Sequence, residues 1–210
     1  MAIAPPPILL VHGIDDTVEI FAALKSYLGD RGWSNIYALN LQPNNGDVGL
    51  DILAEQIRDY IDRHLTDVPC LDIIGFSMGG IVSRYYLQRL GGLKRVRRFI
   101  TLSSPHRGTW TGYLRFNTGA AQMRPNSVFL QDLNNTVEEL QQVEFTSIWT
   151  PYDLMILPAN SSWLPVGNMI NVPVLAHPLM MTDPRSLKVI VDSLSDQTFQ
   201  QPPTATLQTQ

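Results

Sequence analysis

Apolar and polar positions along the chain follow two alternating rhythms. Short runs at Ile8 to Val11, Leu71 to Ile74 (interrupted by Asp72) and Arg98 to Leu102 are too brief for helices and pass into His12-Gly13, Gly75 and Ser103, which marks them as buried strands. Between them, apolar residues recur at helical spacing. Val18, Ile20, Phe21, Leu24 and Leu28 predict a helix over 15–32, and Leu53, Ile57, Tyr60 and Ile61 predict another over 50–65. Asp16 and Glu19 have capping-box spacing at the start of the first, so this acidic pair reads as a cap. Segments 33–41, 145–150 and 168–174 supply further strands, and 184–194 reads as a closing helix with Pro184 in its first turn. Polar, Gly- and Asn-rich 42–49 and Pro-bounded 151–165 read as loops, and 127–133 is the best helical candidate between Thr109 and Glu144.

Strand alternating with helix predicts an α/β fold: a single domain with about six mostly parallel strands and helices on both faces. The stretch of about forty residues before Glu144 leaves room for a small flap and no large lid. Residues 1–195 are expected to be the catalytic domain, and the Gln-, Thr- and Pro-rich 196–210 a frayed tail.

The chemistry concentrates at Leu71 to Gly80. An apolar run passes into Gly75-Phe76-Ser77-Met78-Gly79 and then into a helical pattern, so a strand, a tight turn and a helix succeed one another. A Ser at the apex of such a turn is held in a strained conformation with its hydroxyl above the carboxyl edge of the sheet. Gly75 and Gly79 are needed because a Cβ at either would collide with the opposing strand or helix. A serine hydroxyl is a weak nucleophile and requires a base. Of four histidines, His12 adjoins the turn after the first strand and reads as a loop anchor, His64 ends a helix, and His106 lies in the loop after the 98–102 strand as a structural contact. His177, after the last strand, has the chain order that a Ser elbow demands, with the acid between nucleophile and histidine. Asp153 follows the 145–150 strand and is expected to be that acid, since Asp132, Glu138 and Glu139 are in helical or polar context and Glu144 opens a strand at the opposite edge. Backbone N–H groups of Ile14 and Met78 are the expected oxyanion donors.

Taken together, HGI at 12–14, GFSMGG at 75–80, SSPHRGT at 103–109, PYDLM at 151–155 and AHPLMM at 176–181 resemble the α/β-hydrolase lipases of bacteria, particularly the small, lid-poor ones like triacylglycerol lipases. The resemblance covers about residues 6–195. It implies hydrolysis of carboxylic esters of lipids by Ser77, Asp153 and His177, with no metal or cofactor. Two features depart from that pattern. Phe76 stands where His is common, and Asp15-Asp16 follows the oxyanion turn where small or apolar residues are usual, placing negative charge near a site that must stabilise an anion.

Composition narrows the classes further. A net charge of −4 and a pI near 5.5 exclude a basic nucleic-acid footprint. The basic run Lys94 to Arg98 is expected to be a solvated face at the edge away from the site. The single Cys70 excludes an internal disulfide and is expected to be a small buried hydrophobe. No run approaches the ~20 apolar residues of a membrane span, and the N-terminus lacks the charged region of a secretion signal. The chain is therefore expected to be a soluble cytoplasmic monomer with at most transient membrane-surface contact. Apolar Ile14, Phe76, Met78, Leu154, Met155 and Leu179 are expected to meet the substrate, with Ile156, Met180, Met181, Tyr113, Leu114, Phe116, Trp163 and Leu164 around them. A lipid acyltransferase or thioesterase would use the same three residues, and a silent binding protein would have lost one of them.

Overall fold

The computed structural model of the protein describes residues 5–195, so the expected tail over 196–210 lies outside the described residues. Six strands run β1 Ile8–Val11, β2 Ile36–Leu39, β3 Leu71–Phe76, β4 Val96–Leu102, β5 Glu144–Trp149 and β6 Asn168–Asn171. They form one sheet in the order β2-β1-β3-β4-β5-β6, with every neighbouring pair parallel. Parallel neighbours need crossovers, which here carry helices α1 Ala22–Gly29, α2 Leu50–His64, α3 Met78–Arg89, α4 Thr118–Gln122 and α5 Val128–Asn135, while α6 Pro184–Ser195 follows β6.

Both sheet faces are covered, which is why the strands read as continuous apolar runs. Leu9 and Val11 of β1 point into a cluster with Leu53 and Ile57 of α2 and Ile81 of α3. Ile8 and Leu10 point the other way, to Leu24 and Leu28 of α1 and Leu187 and Ile190 of α6. Strand order reverses between β1 and β3, so the carboxyl ends of these two strands border the crevice where ligands bind in such sheets.

The structure departs from the sequence pattern in several places. The helix expected over 15–32 starts late: Asp15 has φ 62°, Thr17 rather than Asp16 caps by accepting from the Glu19 N–H, and a 3-10 turn at Val18–Phe21 precedes α1. Residues 12–16 are spent on the turn after β1, so they cannot also be helix. β6 stops at Asn171, short of the expected 174, since Pro173 has no N–H to give a ladder. The stretch before Glu144 is more ordered than a loop with one helix, holding α4, α5 and 3-10 turns at Trp110–Leu114 and Val137–Gln142. Cys70 is only half-buried and precedes β3.

The basic run is not a solvated face. Arg95 donates to the carbonyls of Leu65 and Val68 at 2.8 and 3.2 Å, Arg97 pairs with buried Asp72 at 2.7 Å, and Arg98 pairs with Glu144. Register aligns Arg98 with Asp72 on one side and Glu144 on the other, so these charges tie β3, β4 and β5 together at the amino edge.

Two buried polar groups anchor the loop after β4. Arg84 of α3 is fully buried and donates to Gln88 Oε1 at 2.8 Å, Asn134 Oδ1 at 2.9 Å and the Leu133 carbonyl at 2.7 Å. Its acceptors at the end of α5 suit a cation there, and although burial lowers its pKa to about 9, it stays charged at neutral pH. His106, also fully buried, bonds Thr101 Oγ1 through Nε2 at 3.0 Å, and burial followed by the Arg84 charge drives its pKa well below 6.5. A base whose folded pKa is lowered binds fewer protons when folded, so its stability contribution is lost as pH falls below the unfolded value of about 6.5, at up to about 1.4 kcal/mol per pH unit. His106→Gln is therefore expected to lose less stability than the parent between pH 7 and 5.5 in urea denaturation, and parallel slopes would contradict this.

Candidate active site

The elbow at Ser77 is built from sterics. Ser77 joins β3 to α3 with φ 53° and ψ −122°, a conformation that costs a residue with a Cβ of order 1–3 kcal/mol. It is possible because its neighbours lack side chains: a Cβ on Gly79 would sit 2.2 Å from the Val11 carbonyl oxygen, and one on Gly75 would sit 2.6 Å from Gly80 Cα. The Ser77 N–H is tied to the Leu102 carbonyl at 2.8 Å, which fixes the apex to β4.

Beside it lies the turn after β1. His12 is fully buried, accepts the Leu41 N–H on Nε2 at 3.0 Å and so carries its proton on Nδ1, which faces the Gly13 carbonyl at 2.8 Å. Burial lowers its pKa, against the Gly13 carbonyl and Asp16, in keeping with a neutral ring. His12 thus pins residues 12–14 to Leu41, just past the end of β2. The spot a Gly13 Cβ would fill lies 3.1 Å from Ser77 Cβ, so the turn passes directly over the serine. Among the described residues, neither the Ile14 N–H nor the Met78 N–H is engaged by a hydrogen-bond acceptor. Such free donors at a turn and at a helix start favour a developing anion.

His177 opens a 3-10 turn, His177–Met181, and Asp153 lies in the loop after β5. Both are buried, and His177 Nδ1 donates to Asp153 Oδ2 at 2.7 Å. Asp153 Oδ1 accepts from the N–H groups of Met155 at 2.9 Å and Ile156 at 2.8 Å, so the carboxylate cannot swing. Burial alone would raise the Asp153 pKa, but the His177 bond and charge and the two N–H groups outweigh it and hold the pKa below the usual carboxylate value. The Phe76 ring packs against the imidazole with centroids 4.8 Å apart, which places His177 next to the chain neighbour of Ser77. His177 Nε2 is buried without a partner, and no Ser77–His177 hydrogen bond is formed. An imidazole held on one nitrogen by a carboxylate and bare on the other is set to take a proton, and such a contact commonly tightens only with substrate in place.

The other acids are committed elsewhere. Asp132 pairs with Arg89 at 2.8 Å, Glu139 lies 3.8 Å from the same guanidinium, Glu144 pairs with Arg98, and Glu138 accepts from Gln141. Asp15 pairs with Arg115 at the surface. Asp16 sits half-buried beside Gly13, its Oδ2 2.8 Å from the position of a Gly13 Cβ.

Of the expected substrate residues, Ile14, Leu154 and Met155 line one cavity of about 310 Å³, floored by Ala120 and Met123. The side chains of Phe76 and Met78 are buried in the two core clusters, and Leu179 is exposed and does not line that cavity. Ile156, Leu164, Met180 and Met181 are core as well, whereas Tyr113, Leu114, Phe116 and Trp163 are exposed. Sequence reasoning missed Thr109 and Thr111. The Thr109 hydroxyl accepts the Leu157 N–H at 2.8 Å and donates to the Met155 carbonyl at 3.1 Å, and the Thr111 hydroxyl donates to the same carbonyl at 2.7 Å, so both clamp the loop that presents Asp153. Thr109 ends the SSPHRGT stretch and Thr111 lies two residues past it, and nothing else marks them, because their partners lie more than forty residues on.

The palmitoyl protein thioesterase family matches residues 7–114, just over half of the 210 residues. The chain belongs to this family. The matched part of this palmitoyl protein thioesterase family member holds the 12–14 turn and Ser77, while Asp153 and His177 lie beyond it. A triacylglycerol lipase of Pseudarthrobacter phenanthrenivorans is 32% identical over 111 residues, 49% of this chain and 34% of its own length. Palmitoyl-protein thioesterase 3 of Dictyostelium discoideum is 28% identical over 110 residues, 50% of this chain and 37% of its own. The matches thus span about a third of the curated relatives' length. Among solved structures, a mature Bacillus licheniformis lipase superposes with a TM-score of 0.75 at 16% identity, over 91% of this chain and 92% of that one. Aspergillus fumigatus lipase B gives 0.75 at 18% identity, over 91% and 53%. The fold is the α/β-hydrolase fold that the sequence motifs imply.

Proposed function

We propose that the protein is a serine hydrolase that cleaves carboxylic esters of lipids through an acyl-enzyme on Ser77, with residues 1–195 as the catalytic unit. The observation that carries this reading is the buried 2.7 Å His177–Asp153 hydrogen bond, with a bare Nε2 on the far side of the ring and a strained serine elbow beside it.

In this reaction Ser77 Oγ attacks the carbonyl carbon while His177 Nε2 takes its proton. Negative charge moves onto the carbonyl oxygen, where the Ile14 and Met78 N–H groups stabilise it. Collapse expels the leaving oxygen, which receives the proton from His177, and water repeats the steps to free the acid. Asp153 stabilises the imidazolium and keeps the neutral ring in the tautomer that leaves Nε2 facing the serine. The acyl chain takes the cavity between Ile14, Leu154 and Met155, whose 310 Å³ is at the small end of ligand pockets. No helix among the described residues is long and apolar enough to cross a membrane. Exposed Leu114 and Leu154 at the cavity mouth suit transient contact of a cytoplasmic monomer with a lipid surface.

The family match favours a second leaving group, a thiol, with the same residues in the same roles. A matched pair of substrates, one acyl chain as its oxygen ester and as its thioester, tests both. Turnover of the oxygen ester is the expected result. Turnover of the thioester alone would select the second reading, and turnover of neither would overturn the proposal.

A further inference from the structure

Two cavities flank the turn that follows β1, and they differ in chemistry. Ile14 lines the apolar one described above. Two residues further on, Asp16 lines a second cavity of about 420 Å³ with Thr17, Asn40, Gln42 and Asn44. Apart from Leu41 and Pro43, the residues around this second cavity are a carboxylate, a hydroxyl and amides. The walls are fixed by backbone contacts: Asn44 Nδ2 donates to the Asp16 carbonyl at 2.7 Å, the Asp15 N–H donates to the Asn44 carbonyl at 2.9 Å, and Asn40 Oδ1 accepts the Val18 N–H at 2.8 Å. These bonds leave the Asn40 amide N–H groups available to a ligand, and the Asp16 carboxylate, which accepts the Gly13 N–H, has further lone pairs to offer one.

Asp16 also reaches the reacting centre. Its Oδ2 and Ser77 Cβ lie 2.8 and 3.1 Å from the same point, the position a Gly13 Cβ would occupy. His12 and His177 are the cationic or potentially cationic groups that face it, and Asp15 is the neighbouring anion, already paired with Arg115. Burial, helped by the Asp15 charge, raises the Asp16 pKa above 3.8, while the two histidines and the Gly13 N–H pull it back. An ester whose carbonyl sits over Ser77, with its acyl chain on the Ile14 side, would project its other end across the turn toward Asp16.

We propose that the cavity lined by Asp16, Thr17, Asn40, Gln42 and Asn44 is the leaving-group subsite, and that Asp16 makes it select hydroxyl-rich or cationic leaving groups over anionic ones. This rests on the serine-hydrolase reading of Ser77. A carboxylate in a half-buried wall within a few ångströms of the ligand interacts through a lower effective dielectric than water, so one charge there alters discrimination substantially.

The test uses three esters of one acyl chain, with glycerol, choline and glycolate as the neutral, cationic and anionic leaving parts, assayed at pH 8. The quantity read is the choline-to-glycolate ratio of kcat/KM, in which the intrinsic reactivity of each ester cancels between variants. Asp16→Asn is expected to lower that ratio about tenfold or more, while Asp16→Glu keeps it within about threefold of the parent. Added 1 M salt should shrink the parent's ratio and leave that of Asp16→Asn unmoved. A ratio equal in parent and Asp16→Asn, with Ser77 still forming the acyl-enzyme, would overturn the subsite and leave the hydrolase reading standing. Absence of turnover on all three, with Ser77 inert, would instead count against the hydrolase reading.

Discussion

Ser77→Ala is expected to lower kcat by about 10⁴-fold or more while leaving the fold intact. Removing the hydroxyl removes the atom that forms the acyl bond, and neither the His177–Asp153 pair nor the free Ile14 and Met78 amides can replace it. Structure should survive because alanine carries the same Cβ in the same φ 53° conformation, and the Ser77 hydroxyl holds no hydrogen bond whose loss would orphan a buried partner. A melting temperature close to the parent's with lost turnover is the expected pair of results. Comparable kcat in the variant would contradict the mechanism.

Asp153→Asn is expected to lower kcat by about 10³- to 10⁴-fold. Asp153 Oδ1 accepts two backbone N–H groups, so an asparagine there keeps its carbonyl oxygen on them and turns its NH₂ toward His177 Nδ1. That donor forces the imidazole proton onto Nε2, the nitrogen that must accept from Ser77. Asp132→Asn provides the contrast, since Asp132 serves only a surface pair with Arg89, and its kcat should stay within about twofold of the parent. A large loss in Asp132→Asn with little in Asp153→Asn would reassign the acid.

Much of this architecture is legible in the chain because its strands are buried on both faces. Ile8 to Val11 and Leu71 to Ile74 read as strands from their apolar runs alone, and the Gly-X-Ser-X-Gly element is set by contacts so short that few other sequences fit them. What escaped the reading depends on partners distant in sequence. Arg97 and Arg98 look solvated until Asp72 and Glu144 are brought beside them by parallel register. Phe76 and Met78 adjoin Ser77 in sequence, yet the elbow sends their side chains into opposite cores. Asp16 has the spacing of a cap, but the turn after β1 takes up the backbone that would have been helix, and Thr17 caps in its place. Thr109 acts through a loop more than forty residues away, a relation no local pattern carries.

The central claim, that the hydroxyl of Ser77 is made nucleophilic by His177, is tested most directly by covalent labelling with a fluorophosphonate followed by peptide mass spectrometry. Stoichiometric modification at Ser77 in the parent and its loss in His177→Ala is the predicted result. Label absent from Ser77, or carried equally by the variant without the imidazole, would contradict the account.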